Sequence, residues 1–188
     1  MPDNKLNILV LIRETNDPRP PARVTTRGAA ISERGLRRVP NPADLAALEE
    51  ALCLKDSLGA VVTALAVGRE RLDDTLRLAF SMGADRAIRF WDHGLDGGDD
   101  MADAKVLARI VSILAPTFFF TGNRLVDRGD DPVPALAAAA TVMPCISAAV
   151  ALVPGNKSVQ VQRKSDRGAR QIVAATLPCA VLFEEVRT

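Results

Sequence analysis

The stretch TGNRLVDRGDDPVPAL, residues 121–136, follows the apolar run PTFFF and leads into an alanine-rich segment. A strand, a glycine-bearing loop and a helix in that order is how α/β proteins commonly hold phosphate, because the first turn of a helix leaves backbone N–H groups without partners. The residues in this turn argue against that chemistry. Asp130 and Asp131 carry negative charge where a phosphate would sit, and Pro132 and Pro134 lack the N–H groups that would bind it. The turn is expected to cap itself instead, with Asp130 or Asp131 at the positive end of a helix beginning near Pro132. Arg124 and Arg128 flank it and could pair with the same acids.

Other side chains are not grouped for catalysis. The chain has one histidine and no tyrosine, and no Ser/His/Asp cluster or carboxylate pair with a local role. His93, in the polar stretch WDHGLDGGDD, reads as a solvated loop residue, since tight metal sites combine several His or Cys ligands. Asp96, Asp99 and Asp100 lack the spacing of an EF-hand. Trp91 and Phe118 to Phe120 read as core or interface rather than a flavin-stacking box. Cys53, Cys145 and Cys179 are odd in number and form no CxxC pair, so buried thiols in a reducing compartment are expected. With 24 basic and 23 acidic residues there is no electrostatic pull towards nucleic acid or an anionic membrane. The opening MPDNKLNILVLIRET lacks a basic n-region and its apolar run is too short to span a bilayer, so no membrane insertion and a cytoplasmic location are expected.

The elements that must position the turn are legible in the apolar patterning. LNILVLI, Leu6 to Ile12, is a β-branched-rich run that predicts a central strand covered on both faces. Arg13 to Pro40 is a long Arg/Pro/Thr/Gly loop, with a small hairpin around RVTTRGAAIS. NPADLAALEEALCLKDSLG predicts a helix with Asn41 as N-cap, Pro42 at N1, Asp44 in the first turn and Gly59 just past the end; Leu45, Leu48, Leu52 and Cys53 fall on one face. AVVTALAVG is a second strand ending at Gly68, RERLDDTLRLAFSMG a helix and DRAIRFW a third strand. MADAKVLARIVSILA, PTFFF and PVPALAAAATV complete the alternation. This pattern predicts one domain of the α/β class, doubly wound around a mainly parallel, Rossmann-like sheet. From Ala148 onward AAVALV, VQVQR, QIVAAT and CAVLFEE predict a C-terminal antiparallel hairpin leading to a last strand. The N-terminus that Asn41 and Pro42 build faces the carboxyl end of the sheet, where open α/β folds bind ligands, so a nucleotide contact can accompany its capping.

Several of these phrases together resemble the β subunit of electron-transfer flavoproteins, the FixA family. NPADLAALEEALCLKD is similar to that family's asparagine-proline helix with its ALEEALRLKE body. LRLAFSMGADRAIRF is close to LRKALAMGADRAI, ADAKVLARIV and FFFTGNRLVD resemble a helix and a strand ending in TGKQAID, and LPCAVLF resembles LPAVVTV. The likeness is collinear from about Leu6 to Phe183. It implies the adenine-nucleotide α-hydrolase-like version of the fold and a heterodimer with an α-like subunit. FAD would be shared with, and mainly held by, that partner, AMP would be buried in the β subunit, and dehydrogenases would be possible donors. A β chain of this kind needs no catalytic residues of its own. By their match to nucleotide-facing positions, Leu11, Asn41, Val67, Gly68, Asp127 and Asp130 are the expected cofactor-binding residues.

The sequence departs from the family in two places. The polar, glycine-containing stretch that receives the AMP phosphate is replaced by Asp130 to Pro134, so AMP is expected to be lost. The chain stops soon after CAVLFEEV, so the partner-recognition loop and the C-terminal arm are expected to be missing. The basic segment RPPARVTTRGAAISERGLRR reads either as a compensating surface or as a solvated loop. Two other functions remain open: a non-redox adenine-nucleotide-binding regulatory module, and a ligand-free scaffold. The G-x2-G-x9-G-S/T loop of ATP-binding relatives is not found here, which counts against ATP sensing.

Overall fold

LNILVLI forms β1 (Asn7–Leu11), in which Ile8, Leu9, Val10 and Leu11 are buried, as a strand covered on both faces requires. In the computed structural model, which describes residues 5–19, 26–27, 30–31 and 36–185, β1 lies inside an eight-stranded sheet. The other strands are β2 (Val61–Val67), β3 (Arg86–Phe90), β4 (Phe118–Gly122), β5 (Cys145–Pro154), β6 (Ser158–Lys164), β7 (Arg170–Thr176) and β8 (Cys179–Phe183). Their order is β7-β6-β5-β8-β4-β1-β2-β3. All pairings are parallel except β5 with β6 and β6 with β7, so the α/β sheet with a C-terminal antiparallel hairpin is as predicted. The last strand does not sit at the edge: β8 inserts between β5 and β4, and all five of its residues are buried.

Helices α1 (Pro42–Leu58), α2 (Asp73–Met82), α3 (Asp100–Leu114) and α4 (Val133–Ala140) cover the two faces. Alternation along β1 divides the core: Ile8 and Val10 pack with Leu48, Val62 and Phe120 on one face, while Leu9 and Leu11 pack with Leu107, Phe119 and Ala137 on the other. Successive strands run from β1 outward to β3, and the chain then crosses back to β4 on the other side of β1. The carboxyl ends of β1 and β4 therefore form the switch point at which such sheets open a crevice. The base of the long loop is closed by Glu14–Asn16 pairing antiparallel with Arg38–Pro40, and Thr26–Arg27 pairs with Ala30–Ile31 as the predicted small hairpin. Residues 20–25, 28–29 and 32–35 of the basic segment, read as a compensating surface or a solvated loop, lie outside the described residues.

Two local expectations are corrected. The buried face of α1 is Ala43, Asp44, Ala47, Leu48, Ala51 and Leu54, whereas Leu45 and Leu52 are half-buried and Cys53 is exposed. The helix comes so close to β4 that small residues, rather than a leucine row, face the sheet. Of the three thiols only Cys179 is buried; Cys145, like Cys53, is exposed. Burial pushes the Cys179 thiol up to about 12, so it fills space and is no nucleophile.

Two of the phrases that carry the resemblance, NPADLAALEEALCLKD and LRLAFSMGADRAIRF, meet at the amino end of the sheet, away from the switch point. Lys55 Nζ donates to Asp85 Oδ1 at 2.7 Å and to the Gly83 carbonyl at 2.8 Å, and Asp85 Oδ2 accepts from the Val62 N–H at 2.8 Å. Burial pushes the Asp85 carboxyl up, but Lys55 and the Val62 N–H outweigh it and hold it below the ordinary aspartate value. A carboxyl whose pKa is lower folded than unfolded stabilises the fold above the unfolded value, and that contribution is lost as pH falls through the folded one. Asp85→Asn is therefore expected to lower the urea midpoint at neutral pH and to flatten the loss of stability that wild type shows below about pH 4. Urea unfolding of both proteins across that range is the check.

Candidate functional site

At the carboxyl ends of β1 and β2 lies a cavity of about 410 Å³. Leu11, Val67, Gly68, Leu107 and Val133 give it an apolar wall, and Arg13, Asp103, Asp130 and Asp131 are among its charged residues. Gly68 ends β2 with φ of +148°, and a Cβ there would lie 2.7 Å from Leu72 Cδ1, so the sharp exit from the strand needs a glycine. Trp91 borders the cavity with the Arg69 guanidinium 4.9 Å from its ring centroid, and Arg69 is ion-paired with Asp96. Phe118, Phe119 and Phe120 are core residues, fully buried. His93 is exposed, and among the described residues no group of three or more His, Cys, Asp or Glu is arranged to hold a metal ion.

The organising feature is Arg13, two residues past the end of β1. Its Nε and Nη2 donate to Asp44 Oδ2 and Oδ1 at 3.0 and 2.6 Å, its backbone N–H donates to Asp44 Oδ2 at 2.8 Å, and Nη2 also reaches the Gly122 carbonyl at 2.8 Å. Nη1 is paired with Asp131 Oδ2. Asp44, fully buried in the first turn of α1, also accepts from the Thr121 hydroxyl at 3.0 Å and the Gly122 N–H at 2.6 Å. One guanidinium thus ties together the ends of β1 and β4 and the starts of α1 and α4. Burial works against its charge, but Asp44 and then Asp131 outweigh that cost and hold the Arg13 pKa above its ordinary value.

A family model for the electron transfer flavoprotein domain matches residues 28–184. The chain belongs to that family. FixA of Azorhizobium caulinodans is 34% identical over 188 residues, covering 96% of this chain and 66% of that protein. FixA of Rhizobium meliloti is 30% identical over 184 residues, covering 94% of this chain and 62% of that protein. The electron transfer flavoprotein subunit beta of Clostridium acetobutylicum is 34% identical over 122 residues, 65% of this chain and 47% of that protein. The chain is a member of the β-subunit, or FixA, branch and spans between about half and two thirds of the length of these curated relatives.

Within this electron transfer flavoprotein fold, the structure places Leu11, Val67, Gly68 and Asp130 on the cavity wall. Asn41 and Asp127 are not on that wall. Asn41 occupies the N-cap position but makes no side-chain cap bond. Its Nδ2 donates to the Arg124 carbonyl at 2.9 Å, and its Oδ1 accepts from the Val126 N–H at 3.3 Å. The expectation of a capping side chain is corrected: the amide is spent on the loop after β4, and the Asp44 N–H is taken by the Asn41 carbonyl at 3.0 Å. Asp127 accepts from the Asn16 N–H at 2.8 Å, joining the same loop to the base of the long one. Arg124 pairs at 3.8 Å with Glu184, not with the acids of the turn.

The start of α4 does not fit a nucleotide phosphate. The Val133 N–H is taken by Asp131 Oδ1 at 3.0 Å, and Pro132 and Pro134 have no N–H. Burial pushes the Asp103 carboxyl up, and the negative charges of Asp100, Asp131 and Asp99 push it further. Sequence reasoning found Asp131 but missed its partners. Asp44 reads as a first-turn acid, and Arg13 as the start of a loop. The available signal was a lone arginine set directly against an apolar strand.

Proposed function

We propose that the chain is the β-like subunit of an electron-transfer flavoprotein, pairing with an α-like chain to carry electrons from dehydrogenases through FAD held mainly by that partner. The family match, running from residue 28 to 184 and taking in every strand of the main sheet after β1, carries this reading. The geometry supports a carrier subunit rather than a catalyst, because Arg13, Asp44 and Asp131 at the switch point are spent on one another. FAD would supply the redox chemistry. This chain's residues would shape the wall towards the partner, with Leu11, Val67, Gly68 and Asp130 lining the crevice while Asn41 and Asp127 hold its loop. A cytoplasmic site belongs to the same reading, in keeping with three unpaired cysteines. No described helix is long and apolar enough to cross a membrane.

Purified alone, the chain is expected to be colourless, since β1 is followed by Arg13 and Glu14 and not by a GxGxxG dinucleotide loop. Coexpressed with its α-like partner, it is expected to sediment as a yellow one-to-one complex. Flavin absorbance and sedimentation of the coexpressed pair test this. A colourless chain that sediments apart from the partner favours the scaffold reading, which the self-paired switch point also suits. FAD bound tightly by the isolated chain would overturn the division of labour.

A further inference from the structure

The positive end of a helix beside an arginine, at the switch point of an open sheet, is the geometry that α/β folds use to bind anions. Here Arg13 and the start of α4 make that geometry, and both are engaged by a single side chain. Asp131 gives Oδ1 to the Val133 N–H at 3.0 Å and Oδ2 to the Arg13 guanidinium. We infer that Asp131 is a tethered anion that takes the place a nucleotide phosphate would hold, so that this chain closes its switch point without a nucleotide.

A helix cap alone would account for Oδ1. It does not account for Oδ2, which is directed at a residue at the far end of the first strand and ties α4 to β1. Arg13 then stands between two carboxylates, Asp44 and Asp131, with only 14% of its side chain exposed. A free phosphate would have to displace Asp131 from both partners. Pro132 and Pro134 complete the exchange, because the donors they remove are no longer needed once the anion is covalently part of the turn. The inference holds whether or not the chain pairs with an α-like subunit.

The test compares wild type with Asp131→Ala and Asp131→Asn by thermal melting in chloride, inorganic phosphate and AMP at equal ionic strength. It is joined by acid precipitation of the purified wild type and chromatography of what is released. Wild type is expected to release no stoichiometric adenylate and to melt at the same temperature in all three anions. Asp131→Ala, which frees Arg13 Nη1 and the Val133 N–H, is expected to melt lower in chloride and to be raised by phosphate. Asp131→Asn, which keeps an oxygen for Val133, is expected to respond less. Stoichiometric AMP in wild type, or a phosphate response in wild type as large as the variant's, overturns the inference. So does an Asp131→Ala protein that equals wild type in chloride, or one that melts lower and ignores phosphate. Should Asp131→Ala fold only with phosphate present, the inference is supported; should it fold in neither, the wild-type adenylate and melting results decide. None of these readouts involves flavin, so they stand apart from the coexpression result.

Discussion

Asp44→Ala is expected to destabilise the fold by about 3–5 kcal/mol, the range seen when one partner of a buried ion pair is removed. Asp44 is fully buried and accepts from the Arg13 side chain and backbone, the Thr121 hydroxyl and the Gly122 N–H. Its loss strands a guanidinium whose remaining partners are Asp131 and the Gly122 carbonyl. It also leaves the Gly122 N–H buried without an acceptor, which by itself costs about 1–3 kcal/mol. Against a total domain stability of roughly 5–15 kcal/mol this is a large fraction, and the variant should be close to unfolding at ambient temperature. Urea titration followed by circular dichroism measures it. A loss below about 1 kcal/mol would mean that the pair is solvated and worth no more than a surface salt bridge. Asp44→Asn keeps the shape and one acceptor oxygen, and is expected to fall between Ala and wild type.

The second large effect is expected at Gly122, the last residue of β4. A Cβ built there would lie 2.6 Å from Ala43 Cβ, 2.7 Å from Asp44 Oδ1 and 2.8 Å from the Ala43 carbonyl carbon. All three atoms belong to the first turn of α1, and one of them is backbone, so no side-chain rotation relieves the contact. Gly122→Ala must push α1 away from the sheet and carry Asp44 off Arg13. The expected cost is about 1–3 kcal/mol from overpacking, with more if the ion pair opens as well. Ala43→Gly should recover part of it, because it removes the nearest of the three atoms but not the backbone carbon. A double-mutant cycle on melting temperatures measures the coupling. Additive effects would show that Gly122 is not held by the helix.

The sequence by itself determined the class of this protein and most of its elements. A run such as LNILVLI buries both faces, and ALEEALCLKD repeats with helical spacing between Pro42 and Gly59, because burial along one element leaves a period of 2.0 or 3.6 in the chain itself. The phrases around Lys55 and Asp85 also determined the family, and the turn at Asp130 to Pro134 carries acids and prolines where phosphate-binding turns offer backbone N–H groups. Which of Asp130 and Asp131 holds the helix, and what else that acid holds, was not legible. Asp131 meets Arg13 only because β4 lies beside β1, and Asn41 serves the loop at Arg124 and Val126, not its own helix, only because α1 starts against that same strand end. The insertion of β8 between β5 and β4, and the alanine face that α1 turns towards Gly122, were likewise decided by tertiary packing. Periodicity records how deeply each residue is buried along its own element. The partner of a buried charge depends on which chain ends converge, and that is fixed by the order of strands in the sheet.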